Sequence, residues 1–443
     1  NSVATQKGAT KSTGSRKLFV FHRKTGKKLW SKQAKYNFRH NAIAAAKGKL
    51  FCIDKLSTVR RKAFQRRGIT LTGKPRLFAL DLKTGEEIWS TEKNVFGTFL
   101  NYSAQQDTLL QAGSNNGDRA KDESKRGMIA YRGSTGKVLW KNLGIGYAGP
   151  CLLWKDKIIT NGKFGFQLDL LTGKRNDWTY RRMYGCNTII GGQNLLTFRS
   201  GAAGFCDIEN NSGTGNLSGF KSSCTSNLII ADGLLNAPDY TRTCNCAYSN
   251  QTSLAFIYMP EAEEWTFNQI QLEKDYIRRL GINFGAPGDR RDKKSTLWIE
   301  YPFVGGPTPQ IDIKVTGKNH QWFHKHSSAM KGKGLKWVGA SGGKGLETIQ
   351  VTLVKKEKTK KKYTVRLYFA EPDNNQNKPS VMNVSLQGKV VLKNFDIQKE
   401  AAGKNKTIVR QFTEISVSDV LEIQLQSVTG KTLLSGLEVI AEN

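Results

Sequence analysis

The residues of this chain best suited to chemistry are its seven cysteines and five histidines. A covalently attached haem would need a Cys-x-x-Cys-His motif, and a zinc site would need cysteines at that spacing or a nearby histidine. The sequence has neither arrangement. We therefore predict disulfides formed in an oxidising compartment, and the candidate participants are Cys186, Cys224, Cys244 and Cys246. The alternative is that the cysteines stay reduced and fill the core as small apolar side chains.

Three of the histidines, His320, His324 and His326, lie close together in the sequence. On a β-strand their even spacing would place them on one face, where they could hold a transition metal. Neither a carboxylate nor a cysteine stands near them in the sequence. We therefore predict no metal site.

The elements that would position such residues are repeats. The segment HRKTGKKLWS at 22–31 returns as DLKTGEEIWS at 81–90 and RGSTGKVLWK at 132–141, with a looser copy, DLLTGKRNDWTY, at 169–180. Each copy has an apolar run, then Thr-Gly, then a tryptophan on what would be the returning strand of a hairpin. The Asp or Arg before the turn and the Thr hydroxyl can bond the backbone of the turn. The tryptophans, which we expect to pack against the next hairpin, are Trp30, Trp89, Trp140 and Trp178.

Four strands per unit, repeated radially, form a β-propeller. The repeated phrase resembles the pyrroloquinoline-quinone-like (PQQ-like) repeat, in which a tryptophan-docking turn closes each blade. This resemblance implies an all-β fold in which residues 1–262 form a quinoprotein-like propeller. The chain supplies about six blades, whereas propellers of this type close with seven or eight. We therefore expect one or two blades to lie upstream or on another chain.

The sequence changes character after the propeller. Residues 263–309 are rich in Gly and Pro, especially from 277 onwards, and are predicted to be an extended linker that packs on the propeller. In residues 310–443 the strings YTVRLYFAEP (363–372), LQGKVVLKNFDI (386–397) and LSGLEVI (434–440) resemble a malectin domain, which is a β-sandwich. Tyr363, Val365, Leu367 and Phe369 alternate cleanly and should face its core. The combination resembles large secreted proteins of planctomycete bacteria.

The malectin resemblance implies a carbohydrate site, in which aromatic faces stack on sugars and polar loops bond hydroxyl groups. Asp373 and Asn374 stand near where animal malectins carry an aromatic pair. The side chains that could replace that pair are Trp322, Phe323, Trp337 and Tyr368. The alternative is a structural sandwich that contacts other proteins.

Positive charge is concentrated at the start of the chain, where residues 1–76 hold 21 Lys and Arg against a single Asp. This asymmetry favours an acidic polymer or acidic protein surface as the partner; nucleic acid is not favoured. The basic loop expected to bind it contains Arg60, Arg61, Lys62, Arg66 and Arg67. No apolar run is long enough to span a membrane.

The quinoprotein resemblance also raises the question of catalysis. A quinone-dependent oxidoreductase needs the quinone, a Ca²⁺ ion and an aspartate base. Asp169, Asp207 and Asp239 fit turns or strand ends equally well, so we predict no enzyme activity and no cofactor. We predict an exported bacterial protein that holds a glycan or polyanionic surface or docks on a larger complex. A structural subunit of an assembly and a PQQ-dependent oxidoreductase are the alternatives.

Overall fold

In the computed structural model, the residues described are 14–56, 58–70, 72–113, 124, 126–185, 188–217, 219–220, 228–238, 252–257, 259, 262–354, 360–372 and 379–442. The chain divides into two compact units. The first comprises residues 1–203 and 218–255, and the second comprises 204–217 and 256–443. Both are built from β-strands, which confirms the predicted all-β class. Among the described residues, no helix has the length and apolar character needed to cross a bilayer.

The first unit is a series of antiparallel sheets whose strands follow one another along the chain. Its strands are β1 (Gly14–Phe21), β2 (Lys28–Ala46), β3 (Lys49–Asp54), β4 (Arg76–Asp81), β5 (Glu87–Thr91), β6 (Phe99–Ser103), β7 (Thr108–Ala112), β8 (Arg126–Arg132), β9 (Val138–Gly146), β10 (Ala148–Trp154), β11 (Lys157–Asn161), β12 (Phe164–Asp169), β13 (Arg175–Arg181), β14 (Ile190–Gly191) and β15 (Leu195–Ser200). The sheets run β1-β2-β3-β4-β5, β6-β7-β8-β9 and β10-β11-β12-β13. Such consecutive four-stranded meanders are the blades of a propeller.

The first sheet has a fifth strand because β2 is 19 residues long and serves two hairpins. Its beginning pairs with β1, and its end pairs with β3. The strand β1 and the start of β2 thus form a hairpin at one edge of this five-stranded sheet. The division of the chain falls within β16 (Ala202–Asp207), which pairs with β17 (Gly213–Asn216). The first unit then ends in a small sheet of β18 (Ile229–Ala231), β19 (Leu234–Ala237) and β20 (Leu254–Ile257).

Three Thr-Gly turns of the first unit each receive the tryptophan of the preceding copy. The indole N–H groups donate to a carbonyl of the next turn, from Trp30 to Leu82 at 3.0 Å, from Trp89 to Gly133 at 2.8 Å and from Trp140 to Leu170 at 2.8 Å. A Cβ atom at Gly85, Gly136 or Gly173 would lie only 2.6–2.7 Å from the docked ring. These glycines also have positive φ. Only glycine therefore fits both the turn and the indole above it.

The indole orientation depends on a β-bulge in each returning strand. Between Ala79↔Trp89 and Leu80↔Glu87, for example, β5 has one more residue than β4. The fourth copy has an additional residue before its tryptophan, and its bulge is correspondingly larger. Trp178 is half-buried in this copy and its ring lies 5.7 Å from that of Tyr180.

The second unit contains a β-sandwich. After Tyr276 its strands are β21 (Arg279–Phe284), β22 (Arg290–Arg291), β23 (Leu297–Tyr301), β24 (Ile313–Thr316), β25 (Gln321–His324), β26 (Lys331–Gly332), β27 (Ser341–Lys344), β28 (Thr348–Thr352), β29 (Lys361–Ala370), β30 (Val381–Leu386), β31 (Lys389–Asp396), β32 (Lys406–Val417), β33 (Val420–Thr429), β34 (Leu433–Leu434) and β35 (Gly436–Ala441). The two large sheets run β22-β23-β21-β35-β29-β32-β26 and β24-β28-β33-β30-β31, and a small sheet runs β25-β27-β34. The predicted inward residues of β29 (Tyr363, Val365, Leu367 and Phe369) are all completely buried in its core.

The prediction of an extended linker is wrong for residues 279–301. Here β21 pairs with β35 and, in parallel, with β23, so the segment forms part of the larger sheet. The glycines that suggested a linker have a packing role, since Gly281 leaves room for the ring of Trp298 on the neighbouring strand. A Cβ at Gly281 would lie 2.2 Å from that ring.

The helices are short. Those among the described residues are α1 (Thr58–Gln65), α2 (Lys336–Gly339), α3 (Ile397–Glu400) and a 3₁₀ turn at Ser327–Ala329. The basic segment predicted to be a loop lies mainly on α1, which corrects that prediction. Its Arg, Lys, Ala and Gln residues are good helix formers, and the first glycine comes only at Gly68.

Candidate functional site

The carboxylates of the repeat turns are engaged in holding the turns. Asp81 Oδ1 accepts the backbone N–H groups of Lys83 and Thr84 at 2.8 and 2.9 Å, and these bonds lower the pKa of Asp81. Asp169 accepts the N–H of Thr172 at 2.8 Å in the same way, and Asp207 caps its own turn. A carboxylate held by amide donors is a poor general base. Asp239 lies outside the described residues.

The most distinctive polar and aromatic grouping lies in the second unit, and we call it the tryptophan corner: Trp265, Arg290, His324 and Trp337. The rings of Trp265 and Trp337 are 6.1 Å apart and nearly perpendicular, at 83°. The Arg290 guanidinium carbon lies 5.7 Å from the centre of Trp265 and 5.2 Å from that of Trp337. His324 meets the edge of Trp265 at 5.8 Å. Both indoles are half-buried, so each presents part of its surface to solvent.

Buried aromatic rings support the corner from behind. Trp298 is completely buried and packs edge-to-face against Trp337, with ring centres 5.7 Å apart. Tyr368 packs against the other side of Trp298 at 5.0 Å. The indole N–H of Trp298 donates to the Asp292 carboxylate at 3.2 Å. Edge-to-face packing of this kind adds to the energy of burial and fixes ring orientation.

Hydrogen-bonding groups flank the corner. Glu263 accepts the N–H of Ser327 at 2.6 Å, and its second carboxylate oxygen lies 3.9 Å from His324 Nε2. Burial lowers the pKa of His324, although the charge of Glu263 acts in the opposite direction. The imidazole is therefore neutral at pH 7 and can both donate and accept. Within the described part of the chain, the buried Nη1 atom of Arg290 has no hydrogen-bond partner.

A buried carboxyl group holds the corner's backbone in place. Asp289 is fully buried and accepts hydrogen bonds from the Asn268 amide at 3.1 Å and the Glu300 N–H at 3.3 Å. Its backbone pairs with Thr266, which ties the residues next to Trp265 and Arg290 together. Burial raises the pKa of Asp289 well above its usual value, and so does its hydrogen bond with the Glu300 side chain. A hydrogen bond between two carboxyl groups requires a proton on one of them.

Replacing Asp289 by Asn should flatten the pH dependence of the second unit's stability. Because the folded pKa of Asp289 is raised, the folded state binds more protons than the unfolded state above about pH 4. The free energy of unfolding should therefore fall as pH rises, by up to about 1.4 kcal/mol per pH unit while this group titrates. Denaturant unfolding at pH 4.5, 6 and 7.5 measures the slope. Equal slopes for the wild type and D289N would contradict a raised pKa of Asp289 in the folded state.

Of the predicted ligand-binding residues, Trp337 and Tyr368 belong to this aromatic group, whereas Trp322 and Phe323 lie elsewhere. Trp322 packs on Phe284 and Tyr301, at 6.2 and 5.7 Å. Phe323 points to the opposite face of β25, over Gly342. Tyr368 is almost completely buried, so it supports the corner and offers no exposed face. Asp373 and Asn374 lie outside the described residues.

The predicted polyanion-binding residues lie on α1 or directly after its end. Lys62, Arg66 and Arg67 are exposed, and Arg61 is half-buried. Lys62 and Arg66 are four residues apart, and the N–H of Arg66 bonds the Lys62 carbonyl at 3.0 Å, so their side chains start from the same side of the helical turn. The Arg60 side chain lies outside what the structure describes.

The cysteines fall into two groups. Cys52, Cys151 and Cys206 are buried free thiols, and burial raises the pKa of Cys52 and of Cys206 to about 12. These three are small core residues. The predicted disulfide participants Cys186, Cys224, Cys244 and Cys246 lie outside the described residues, so their pairing stays a prediction.

The three neighbouring histidines have separate contacts. His320 packs against Trp322 at 5.3 Å and His324 against Trp265, while His326 bonds the Ser328 hydroxyl at 2.7 Å. Across the described ranges, no three His, Cys, Asp or Glu side chains come together as a metal site.

Comparison with known proteins identifies the sandwich. Residues 353–442 match the Malectin domain family, as predicted for this part of the chain. No curated protein matches the chain. Similar solved structures include a β-glucuronidase of Bacteroides uniformis (11% identity, 59% of this chain and 29% of that chain, TM-score 0.32). BamB from Moraxella catarrhalis is 16% identical over 49% of this chain and 61% of that chain (TM-score 0.35), and the ANXUR2 extracellular domain of Arabidopsis thaliana is 18% identical over 37% and 41% (TM-score 0.28). The chain thus spans less than two thirds of each of these proteins.

Proposed function

We propose that this chain is a non-catalytic, exported binding protein whose malectin-like sandwich holds a glycan on the tryptophan corner. The observation that carries the proposal is the pair of half-exposed indoles at 83°, flanked by Arg290, His324 and Glu263. Sugars offer flat C–H faces ringed by hydroxyl groups. Indole faces can cover the C–H faces, and charged or imidazole groups can hydrogen-bond the hydroxyl groups.

The Malectin match also supports a glycan as the ligand. The residues of the tryptophan corner are inferred from the contacts in this chain and are not carried over from the family. The repeats of the propeller-type unit resemble PQQ-like repeats, and the described turn carboxylates bond the backbone of their own turns. We therefore propose a scaffold role for that unit and no quinone chemistry. The absorbance spectrum of the protein with added quinone and Ca²⁺ should equal the sum of the spectra of the separate components.

A glycan array probed with the full chain tests the proposal. We expect the full chain to bind a subset of the glycans. Trp337→Ala or Trp265→Ala should weaken this binding at least tenfold, which corresponds to a loss of about 1.4 kcal/mol or more in binding free energy. Trp322→Ala is the matched control, since this indole is also half-buried in the second unit but lies outside the corner. Absence of any retained glycan, or loss only in W322A, would refute the proposed site.

The basic side chains of α1 and its C-terminal continuation give a separate prediction. Changing Arg60, Arg61, Arg66 and Arg67 to Gln should markedly lower the salt concentration at which the protein elutes from heparin, because exposed charges act through screened electrostatics. A variant with Lys318, Lys389, Lys393 and Lys431 changed to Gln removes the same charge from exposed positions of the second unit. If both variants elute at the same salt concentration, only net charge matters and α1 is not a binding surface.

A further inference from the structure

The tryptophan corner holds the positive charge of Arg290 against two aromatic rings. The guanidinium carbon lies 5.7 Å from the ring centre of Trp265 and 5.2 Å from that of Trp337. Aromatic faces attract a cation, but they carry no net charge that would neutralise it. Burial lowers the pKa of Arg290 and the charges of Glu263 and Glu264 raise it, while arginine stays protonated at pH 7 in a protein. The corner therefore presents a positive charge beside its two indoles.

The same guanidinium has hydrogen-bonding capacity that the described residues leave unused. Arg290 is half-buried, and its buried Nη1 atom has no hydrogen-bond partner in the described part of the chain. A buried donor without an acceptor costs free energy, and the cost is larger when the group is charged. The planar fork of a guanidinium fits the oxygens of a carboxylate or of a similar oxyanion. An anionic group on a ligand would therefore offset the cost of burying Arg290.

Two carboxylates lie near enough to affect the charge of Arg290, and each is weakened as a competitor for it. Glu263 accepts the N–H of Ser327 at 2.6 Å, and its other oxygen lies 3.9 Å from His324 Nε2. Glu264 is exposed, so solvent and salt screen its charge. A ligand anion at Arg290 consequently meets little opposition from these two groups.

The chain that supplies half of the corner is basic. Residues 313–346 contain seven lysines and no Asp or Glu. Two of these lysines, Lys325 and Lys336, are the direct chain neighbours of His324 and Trp337, and Lys336 is exposed. A surplus of one charge attracts ligands of the opposite sign and repels those of the same sign.

We propose that the sugar bound at the corner is acidic, with a carboxylate or sulfate group against Arg290 and a C–H face on an indole. This inference rests on the proposed glycan site and names the class of glycan that the site takes, which is a uronate-containing or sulfated oligosaccharide. A sugar with a protonated amino group would meet the like charge of Arg290, so glycans of that class are excluded.

Pairs of trisaccharides that differ in a single charge test this inference on the full chain. One pair is a trisaccharide with one glucuronate and its carboxyl-reduced form, and the other is a trisaccharide with one sulfate ester and its unsulfated form. Titration calorimetry at about 0.15 M salt limits attraction by distant basic residues. We expect at least one acidic member to bind at least about tenfold tighter than its neutral counterpart. The pair with the larger ratio identifies the anionic group.

The ratio of the two affinities, measured on variants, assigns the preference to Arg290. In Arg290→Gln it should fall to within about twofold of unity, because both members then lack a charged partner. Lys389→Gln removes the same charge from an exposed position of the second unit and should leave the ratio unchanged. A measurement on the wild type covers the case in which R290Q does not fold. The acidic trisaccharide should shift the Nε–H signal of Arg290, assigned by its absence from the spectrum of R290K, and the neutral one should not.

The possible failures of this inference and of the proposed function differ. Binding that W337A weakens but that shows equal affinity for acidic and neutral members overturns the inference and leaves the glycan site standing. A ratio that R290Q leaves unchanged, or that K389Q lowers equally, also overturns it, since net charge alone then sets the preference. If neither these trisaccharides nor any glycan of the array binds, the proposed function fails as well.

Discussion

Replacing Trp89 by Ala should lower the free energy of unfolding of the first unit by about 3–5 kcal/mol, because it removes a large ring between two blades. The ring packs on Phe51 at 6.1 Å and on Tyr131 at 6.2 Å, and its N–H bonds the Gly133 carbonyl. Its loss would leave a cavity and an unpaired carbonyl at the same junction. The effect should spread to both sheets that the indole joins.

Hydrogen exchange of the amides in β4 and β8 measures this loss, since central strands exchange largely through global opening. Ile88→Ala is the control: its side chain is 43% exposed on the same strand, and the change should cost less than about 1 kcal/mol. Trp89→Phe should fall between the two. Equal protection in W89A and I88A would mean that the indoles do not lock the blades together.

Replacing Trp298 by Ala should destabilise the second unit by about 3–5 kcal/mol and should also abolish glycan retention. Trp298 fills the space above Gly281 and supports both Trp337 and Tyr368. Without it the Trp337 indole loses its perpendicular neighbour and can turn away from Trp265.

The exchange of β29 amides reports the loss of stability, and glycan retention is measured on fully folded protein at low temperature. Trp322→Ala again serves as the control and should retain the glycan. If W298A is destabilised as expected but binds the glycan with unchanged affinity, the corner does not depend on its buried support and the proposed site is wrong.

The repeat hairpins could be predicted from sequence because their signal is local. Thr-Gly followed by tryptophan fixes the turn, the positive φ and the face of the indole within about ten residues. The alternation in β29 is similarly local. The prediction of a linker failed around Gly281 because a high density of glycine indicates a loop in most contexts. Here Gly281 makes room for Trp298 on a neighbouring strand.

Only part of the tryptophan corner could be found in the sequence. Trp337 was a candidate because it lies in the malectin-like region. Trp265 and Arg290 were missed, since they lie in segments without strand periodicity and meet only through the pairing of Thr266 with Asp289. The run Glu263-Glu264-Trp265 at the start of the predicted linker is the one available signal: an aromatic residue preceded by two carboxylates outside any repeat.

The indole N–H spectrum of the full chain, recorded with and without the best-retained glycan of the array, tests the central claim most directly. Each of the nine tryptophans contributes one ¹H–¹⁵N signal. We expect the signals of Trp265 and Trp337 to shift in a saturable way, while those of Trp30, Trp89 and Trp140, whose N–H groups bond the next repeat turn, stay in place. Shifts confined to Trp322 or to the blade tryptophans would contradict glycan binding at the corner.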